Sequence, residues 1–252
     1  MTLPAAFVAD RPRPRPATLS WARDPLGTFT SARPLRPAAP RAWYASAHPR
    51  LKPRIYRVLK RAIDLAAVIA ALPLALPVLA LCIVAIRLDS PGPALFVQPR
   101  TGKEGRRFGM FKLRTMVQNA AELKAKYMHL NEHTYPDFKI TNDPRMTRVG
   151  RILRKTSLDE LPQLFNVLRG DMTLVGPRPT SFGAETYRLW HTARLEVKPG
   201  LTGLWQVSGR SDLDFDDRLR LDVAYIRHRC LWLDLQILVR TATAVLSTRG
   251  AN

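Results

Sequence analysis

Two adjacent carboxylates, Asp159 and Glu160, stand in the stretch Arg154-Lys155-Thr156-Ser157-Leu158-Asp159-Glu160-Leu161-Pro162-Gln163. With Arg148, Arg151, Arg154 and Lys155 close by, they are candidates for a nucleophile and an acid/base partner. Nearby cations keep a carboxylate ionised and attract phosphate substrates. The same residues also fit a plainer role. Ser157-x-x-Glu160 matches a capping box, and acidic side chains favour the first turn of any helix. Pro162 lies too deep for a helix capped at Ser157, whereas a helix beginning at Pro162 leaves the dyad on the preceding turn. Either arrangement sets both carboxylates near a helix N-terminus.

Three further segments carry cations in constrained settings. Phe108-Gly109-Met110-Phe111-Lys112-Leu113-Arg114-Thr115-Met116 alternates large apolar with basic residues, which predicts a half-buried strand with Lys112 and Arg114 on one face. In Leu174-Val175-Gly176-Pro177-Arg178-Pro179 the prolines fix the backbone and hold Arg178 in a defined direction. That suits a bidentate grip on phosphate, and equally a structural turn with an exposed Arg. Lys198-Pro199-Gly200-Leu201-Thr202-Gly203-Leu204-Trp205-Gln206-Val207-Ser208-Gly209-Arg210 reads as a glycine-punctuated loop and strand. Close backbone approach to a nucleotide explains such glycines, as do ordinary turns.

The elements that must position these groups begin with an anchor. From Leu65 to Ile86 all 22 residues are apolar or proline, enough to cross a hydrocarbon core of about 30 Å as a straight helix. Lys52, Arg54, Arg57, Lys60 and Arg61 precede the run, and Arg87, Arg100, Lys103, Arg106 and Arg107 follow it. A rule that keeps Lys and Arg in the cytoplasm therefore asks for both ends on the same side. Pro73 and Pro77 stand mid-run and favour a sharp break, so a helix that dips into one leaflet and returns is expected. The competing topology is a kinked spanning helix.

The net charge of the 252-residue chain is +20. Up to Arg61, eleven Arg and two Lys face only Asp10 and Asp24, and ten of the 21 prolines lie in the first 53 residues. Residues 1–53 are expected to form a disordered or polyproline-like tail drawn to anionic lipid. No apolar stretch follows the early basic residues until position 65, so no signal peptide is expected. Cys82 and Cys230 lack metal-ligand spacing and suit a reducing compartment. His129, His133, His191 and His228 are scattered, so no zinc site is expected.

Beyond the anchor the hydropathy pattern is that of one mixed domain, with 46% hydrophobic and 24% charged residues in the chain. A turn at Ser90-Pro91-Gly92-Pro93 leads to a short strand over Ala94–Gln98 and a turn at Gly102–Gly105. Asn119–Leu130 has helical composition, Thr134–Pro144 reads as irregular loop, and Pro162–Leu168 as a short apolar helix ending near Gly170. Phe215–Arg229 and Leu231–Leu246 are amphipathic helices suited either to headgroups or to core packing.

The ordered series Lys60-Arg61-x-x-Asp64, the apolar run with Pro77, Ser90-Pro91-Gly92-Pro93, Phe111–Met116, Leu158–Leu168, Gly170-Asp171-Met172, Gly176-Pro177-Arg178-Pro179 and Lys198–Gly203 resembles the bacterial sugar transferases, the monotopic phosphoglycosyl transferases. The resemblance covers about residues 55 to 250. It implies a mixed α/β, mainly helical fold: a monotopic membrane protein with a proline-broken re-entrant helix and a cytoplasmic catalytic domain bearing amphipathic interfacial helices. The implied division is a tail at 1–53, the membrane helix at 54–88 and the transferase domain at 89–252. The implied reaction moves a hexose 1-phosphate from a UDP-sugar to undecaprenyl phosphate at the cytoplasmic face of the bacterial inner membrane, releasing UMP.

In that resemblance Asp159 is the nucleophile that becomes a phosphosugar-linked aspartate, and Glu160 its acid/base partner. Mg2+ is expected at Asp159 and the diphosphate. Lys112, Arg154, Arg178 and Lys198 match positions near phosphates or nucleotide. Membrane lipid and downstream glycosyltransferases are the expected partners, a homo-oligomer is left open, and nucleic acid is not expected. With a single membrane run the chain looks like the short form of the family, most similar at Gly209–Asp222 and Leu246–Ala251 to members that start exopolysaccharide assembly with galactose 1-phosphate. Two features depart from the family pattern: Leu76-Pro77 with an extra Pro73 at the helix break, and the Arg/Pro tail. A membrane-tethered basic scaffold, with the dyad as a helix cap, is the alternative from another class. A soluble nucleotide enzyme is disfavoured by the lack of a Walker or Gly-x-Gly-x-x-Gly loop.

Overall fold

The apolar run folds as helix α1, Pro53–Asp89, 37 residues long, or roughly 55 Å at 1.5 Å per residue. The computed structural model describes residues 43–45, 50–132, 138, 140–183, 187, 189–209 and 213–246. Most of the Arg/Pro tail, part of the Thr134–Pro144 loop, Arg210–Asp212 and the chain end after Leu246 thus lie outside the described residues. Pro53 opens α1 where its missing N–H leaves no helical bond unmade. The chain turns away at Ser90-Pro91-Gly92-Pro93, with Gly92 at φ 105°, a region glycine enters without a Cβ penalty. The sharp break expected at Pro73 and Pro77 is not found: α1 runs through both prolines as one helix. What bears on topology is therefore what each end of α1 touches.

One stripe of α1 packs on the domain. Tyr56, Asp64, Val68, Cys82 and Ile86 are buried, with Leu72, Ala75, Val78 and Leu79 packed beside them. Spacings of three and four place these residues on one face. The remaining surface stays bare, with Leu74 76% and Leu81 71% exposed. Only 11% of its most apolar stretch, of mean hydropathy 2.7, is buried, and its length and composition suffice to cross a membrane.

Strands β1 (Leu95–Thr101) and β2 (Arg107–Leu113) form an antiparallel hairpin that sets Phe96 opposite Lys112. Strand β2 stops before Arg114, whose guanidinium turns onto the carbonyls of Ser90 and Pro91 and so locks the exit from α1. Lys112 and Arg114 therefore serve different partners. The helix expected over Asn119–Leu130 shrinks to α2 (Leu123–Lys126) and a 3-10 turn at Met128–Leu130. Met128 and Leu130 are exposed, and a short helix without a buried face is marginal.

Helix α3 (Arg148–Thr156) starts at Thr147, whose hydroxyl accepts from the Gly150 amide at 3.0 Å. A 3-10 turn at Leu158–Glu160 leads into α4 (Gln163–Arg169), which ends on Gly170 at φ 86°. Strand β3 (Thr173–Val175) pairs in parallel with β4 (Gly200–Thr202). Then come α5 (Leu204–Ser208), α6 (Phe215–His228) and α7 (Leu231–Leu246). The main core gathers Val68 of α1, Val167 of α4, Leu204 of α5, Tyr225 of α6, and Leu233 and Ile237 of α7. Helix α7 also exposes Trp232, Leu235 and Val239. It is apolar on both sides, packed on one and bare on the other.

The glycines of the Lys198–Gly203 loop have a local explanation. A Cβ on Gly200 would lie 2.1 Å from the Gly176 amide nitrogen, and one on Gly203 2.4 Å from the Gly176 carbonyl oxygen. They allow β3 and β4 to touch backbone to backbone, and nothing in their placement calls for a nucleotide.

Candidate active site

The Ser157 hydroxyl makes no cap hydrogen bond to the turn that follows it. Ser157 closes the C-terminus of α3 in the left-handed conformation, φ 58°, with its amide donating to the carbonyls of Arg154 and Leu153. A residue with a Cβ loses on the order of 1 kcal/mol there, and strain of this kind clusters at functional sites. The consequence is a reversal of chain direction between α3 and α4, with the dyad on the tight turn between them. The capping-box reading is thus overturned, and the dyad precedes a helix that starts just after Pro162.

Strand β2 reaches this turn from the side. Lys112 Nζ lies 3.3 Å from Glu160 Oε1 and 3.7 Å from Asp159 Oδ2. Arg178, held in its proline-flanked turn, grips Glu160 with both guanidinium nitrogens, one of them at 3.1 Å. Its Nη1 also reaches the Leu201 carbonyl on β4 at 3.4 Å. Arg154, at the end of α3, donates to the Thr115 hydroxyl at 3.0 Å and adds positive potential at Asp159. Of the six expected site residues, Asp159, Glu160, Lys112 and Arg178 therefore meet directly, and Arg154 stands at the rim.

Lys198 is placed elsewhere. Its ammonium lies over Gly170, close to Arg61, at the far end of α4, about 10 Å along a seven-residue helix from the dyad. Burial and the neighbouring Arg61 lower its proton affinity. Pro73 and Pro77 lie within α1, away from these groups in sequence and in contact.

The two carboxylates differ in environment. Burial raises the Glu160 carboxyl, but Arg178 and Lys112 outweigh it and bring it down to about 2. Asp159, 6% exposed, is pushed up by burial and by the Glu160 charge, against the pull of Lys112. Among the described residues Lys112, at 3.7 Å, is the one cation within 4 Å of Asp159. The Glu160 oxygens are bonded by Arg178 and Lys112. No group of three or more His, Cys, Asp or Glu among the described residues is placed to hold a metal. The available donor set is a single carboxylate, which fits an ion whose other ligands are water and substrate phosphates.

Several side chains to which the sequence reading gave no role build this geometry. Asn166, fully buried in α4, accepts from the Phe111 amide at 2.9 Å and donates to the Gly109 carbonyl at 2.8 Å. It clips α4 to β2 and so sets Lys112 beside the dyad. Its signal was an amide in the middle of an apolar run, since such a group needs buried partners. Arg61 caps α4 through the carbonyls of Val167 and Leu168 at 2.6 and 2.9 Å, and Asp64 accepts from Thr173 and from the Leu174 amide.

A family model described as bacterial sugar transferase matches residues 55–248. The chain belongs to this family. The transferase is 46% identical over 207 residues to the undecaprenyl-phosphate galactose phosphotransferase of Salmonella typhimurium, covering 80% of this chain and 43% of that protein. It is 43% identical over 197 residues to the galactosyl transferase CpsE of Streptococcus agalactiae serotype III, covering 77% and 44%. With the exopolysaccharide production protein ExoY of Rhizobium meliloti it shares 39% identity over 197 residues, covering 76% and 87%. The transferase thus matches under half the length of the first two relatives and most of the third.

Proposed function

We propose that this transferase moves a hexose 1-phosphate from a UDP-sugar to undecaprenyl phosphate, releasing UMP, as the first membrane step of exopolysaccharide assembly. The observation that carries this reading is the buried Asp159 set beside Glu160, Lys112 and Arg178 in a domain packed on a long apolar helix. The names of the relatives supply the substrate class, with galactose named for Salmonella and glucose for Komagataeibacter xylinus. UDP-galactose and UDP-glucose are accordingly the candidate donors.

In the first step an Asp159 oxygen attacks the β-phosphorus. The bond from that phosphorus to the bridging oxygen breaks, and UMP leaves with the electron pair. In the second step an oxygen of undecaprenyl phosphate attacks the same phosphorus, and the aspartyl oxygen leaves, restoring Asp159. Lys112, Arg178 and Arg154 hold the phosphates and offset charge on their oxygens. Glu160 receives the proton of the incoming phosphate once substrate oxygens share its two cations. Mg2+, held by Asp159 and the diphosphate, would neutralise charge on the leaving UMP.

In this reading the chain sits at the cytoplasmic face of the bacterial inner membrane with both ends of α1 on that side. Both ends of α1 touch one folded domain. Near its start Lys60 pairs with Asp234 at 2.9 Å, and at its end Asp89 accepts from the Val149 amide at 3.1 Å. Contacts of both ends with one domain support this reading.

The test is UMP release from UDP-galactose and UDP-glucose with undecaprenyl phosphate and Mg2+, comparing wild type with Asp159→Asn. Release that disappears in Asp159→Asn, together with a hexose-phosphate adduct on the wild-type chain when acceptor is withheld, is the expected result. Full activity in Asp159→Asn sinks the covalent assignment. Topology is read by labelling a cysteine introduced at Arg50, and labelling from outside the cell refutes re-entry.

A further inference from the structure

The segment that carries Arg178 has almost no secondary structure of its own, yet five successive carbonyls in it are occupied by donors from elsewhere. The Arg178 carbonyl accepts from Arg194 Nη2. That of Pro179 accepts from Arg100 at 3.3 Å and that of Thr180 from the Thr101 amide at 3.0 Å. Those of Ser181 and Phe182 accept from Arg107 at 3.1 and 3.0 Å. Pro177 and Pro179 contribute no N–H, so outside donors take the place of a ladder.

One of these donors differs from the rest. The side chains of Arg194 and Asp222 are 4% and 1% exposed and lie 2.7 Å apart, nitrogen to oxygen. Arg194 comes from the 3-10 segment Leu189–Glu196 and Asp222 from α6. A buried ion pair is a weak source of stability but a strict geometric constraint, because neither member can move without leaving a charge unpaired. Here the constrained guanidinium bonds the backbone of the residue whose own guanidinium holds Glu160. The chain of contact runs Asp222, Arg194, the Arg178 carbonyl, the Arg178 side chain, Glu160.

We propose that Arg194, oriented by Asp222, is a positioning residue for Arg178, setting the reach of the Arg178 guanidinium toward Glu160 and the substrate phosphates. It touches neither substrate nor reacting atoms and acts through Arg178. This inference rests on the reaction proposed above. Displacements near 1 Å cost on the order of 100-fold in rate when catalytic geometry is tight, so Arg194→Gln should lower kcat/KM by roughly 10- to 100-fold.

The experiment is a double-mutant cycle on the full chain in lipid nanodiscs, with UMP release as the signal and Arg194→Gln made in wild-type and Arg178→Ala backgrounds. If Arg194 acts through Arg178, its loss matters only where Arg178 is present, whereas a general structural role lowers activity by the same factor in both. Arg194→Lys keeps the charge and a donor and should recover part of the loss. Hydrogen exchange supplies a readout free of the assay: Arg194→Gln should speed exchange of the Thr101 amide, which donates to the Thr180 carbonyl, while leaving Leu233–Ile237 protected. If Arg194→Gln does not fold, Asp222→Asn is carried through the same cycle and the same exchange measurement. Equal losses in both backgrounds, or unchanged exchange at Thr101, overturn the proposal. Silence of the wild type with every UDP-sugar overturns the reaction instead, and exchange still decides the positioning role.

Discussion

Replacing Gly200 with Ala tests how Arg178 is held, because the added carbon has nowhere to go. It would sit 2.1 Å from the Gly176 amide nitrogen, 2.4 Å from the Thr202 carbonyl oxygen and 2.7 Å from the Gly176 Cα. All three are backbone atoms, so relief requires β3 and β4 to separate by about 1 Å or more, against a core that is close-packed. Overpacking of this kind costs about 3 kcal/mol, which for a domain of this size lowers Tm by roughly 6–12 °C. The displacement falls on Gly176, two residues before Arg178, and on the strand whose Leu201 carbonyl receives Arg178. UMP release should therefore fall further than folding alone explains. Gly209→Ala is the control: its Cβ would meet only the Leu213 side chain, at 2.9 to 3.2 Å, which can rotate aside. Its cost should stay within about 1 kcal/mol. Thermal denaturation and UMP release are measured on both, and a Gly200→Ala protein with wild-type Tm and activity refutes the backbone-contact account.

Glu160 makes acid stability a readout of the dyad. Its folded value of about 2 lies below the ordinary one near 4.3, so its contribution is complete above about pH 4.3 and fades as pH falls toward 2. That shift corresponds to on the order of 3 kcal/mol, which the 21% exposure of the side chain trims to about 2 kcal/mol. Glu160→Gln should flatten the fall of Tm between pH 5 and pH 3, and parallel curves for the two proteins would contradict the ion-pair assignment. Asn166→Ala leaves the Phe111 amide and the Gly109 carbonyl without partners, at about 2–3 kcal/mol. Its kcat should fall with its Tm because Lys112 loses its fixed distance to the dyad; a lowered Tm with unchanged kcat would remove Asn166 from the positioning of the site.

What could be read from the sequence was what a continuous stretch of chain encodes. The dyad, the Lys112 strand, the rigid Arg178 turn and the ends of α6 and α7 are each set by local patterning, and the structure has them close to where they were expected. What could not be read depends on distant partners. The left-handed Ser157 has no side-chain signature, because its conformation follows from the helices it joins. The glycines at 200 and 203 look like ligand-approach glycines until β3 and β4 are seen to pair. Lys198 carries the right charge in a loop next to the site, yet its ammonium points to the far end of α4. Arg194 and Asp222, 28 positions apart, give no sign that they meet.

Adjacent carboxylates acquire different chemistry here because their surroundings differ, and α1 is part of what makes them differ. Glu160 is held ionised by two cations, while Asp159 is raised by burial and by the Glu160 charge, so the two neighbouring acids take up protons over different pH ranges. The helix that precedes both cations and dyad is tied to each supporting element in turn: Lys60 and Tyr56 to Asp234 of α7, Arg61 to the end of α4, Asp64 to β3, Asp89 to the start of α3. Removing it would uncap α4 and leave the main core open where Val68 and Leu72 now pack. Helix α1 is therefore not a tether on a self-sufficient domain. Its domain-facing residues hold α3 and α4 at the angle that puts Asp159 and Glu160 on one turn, facing Lys112 and Arg178.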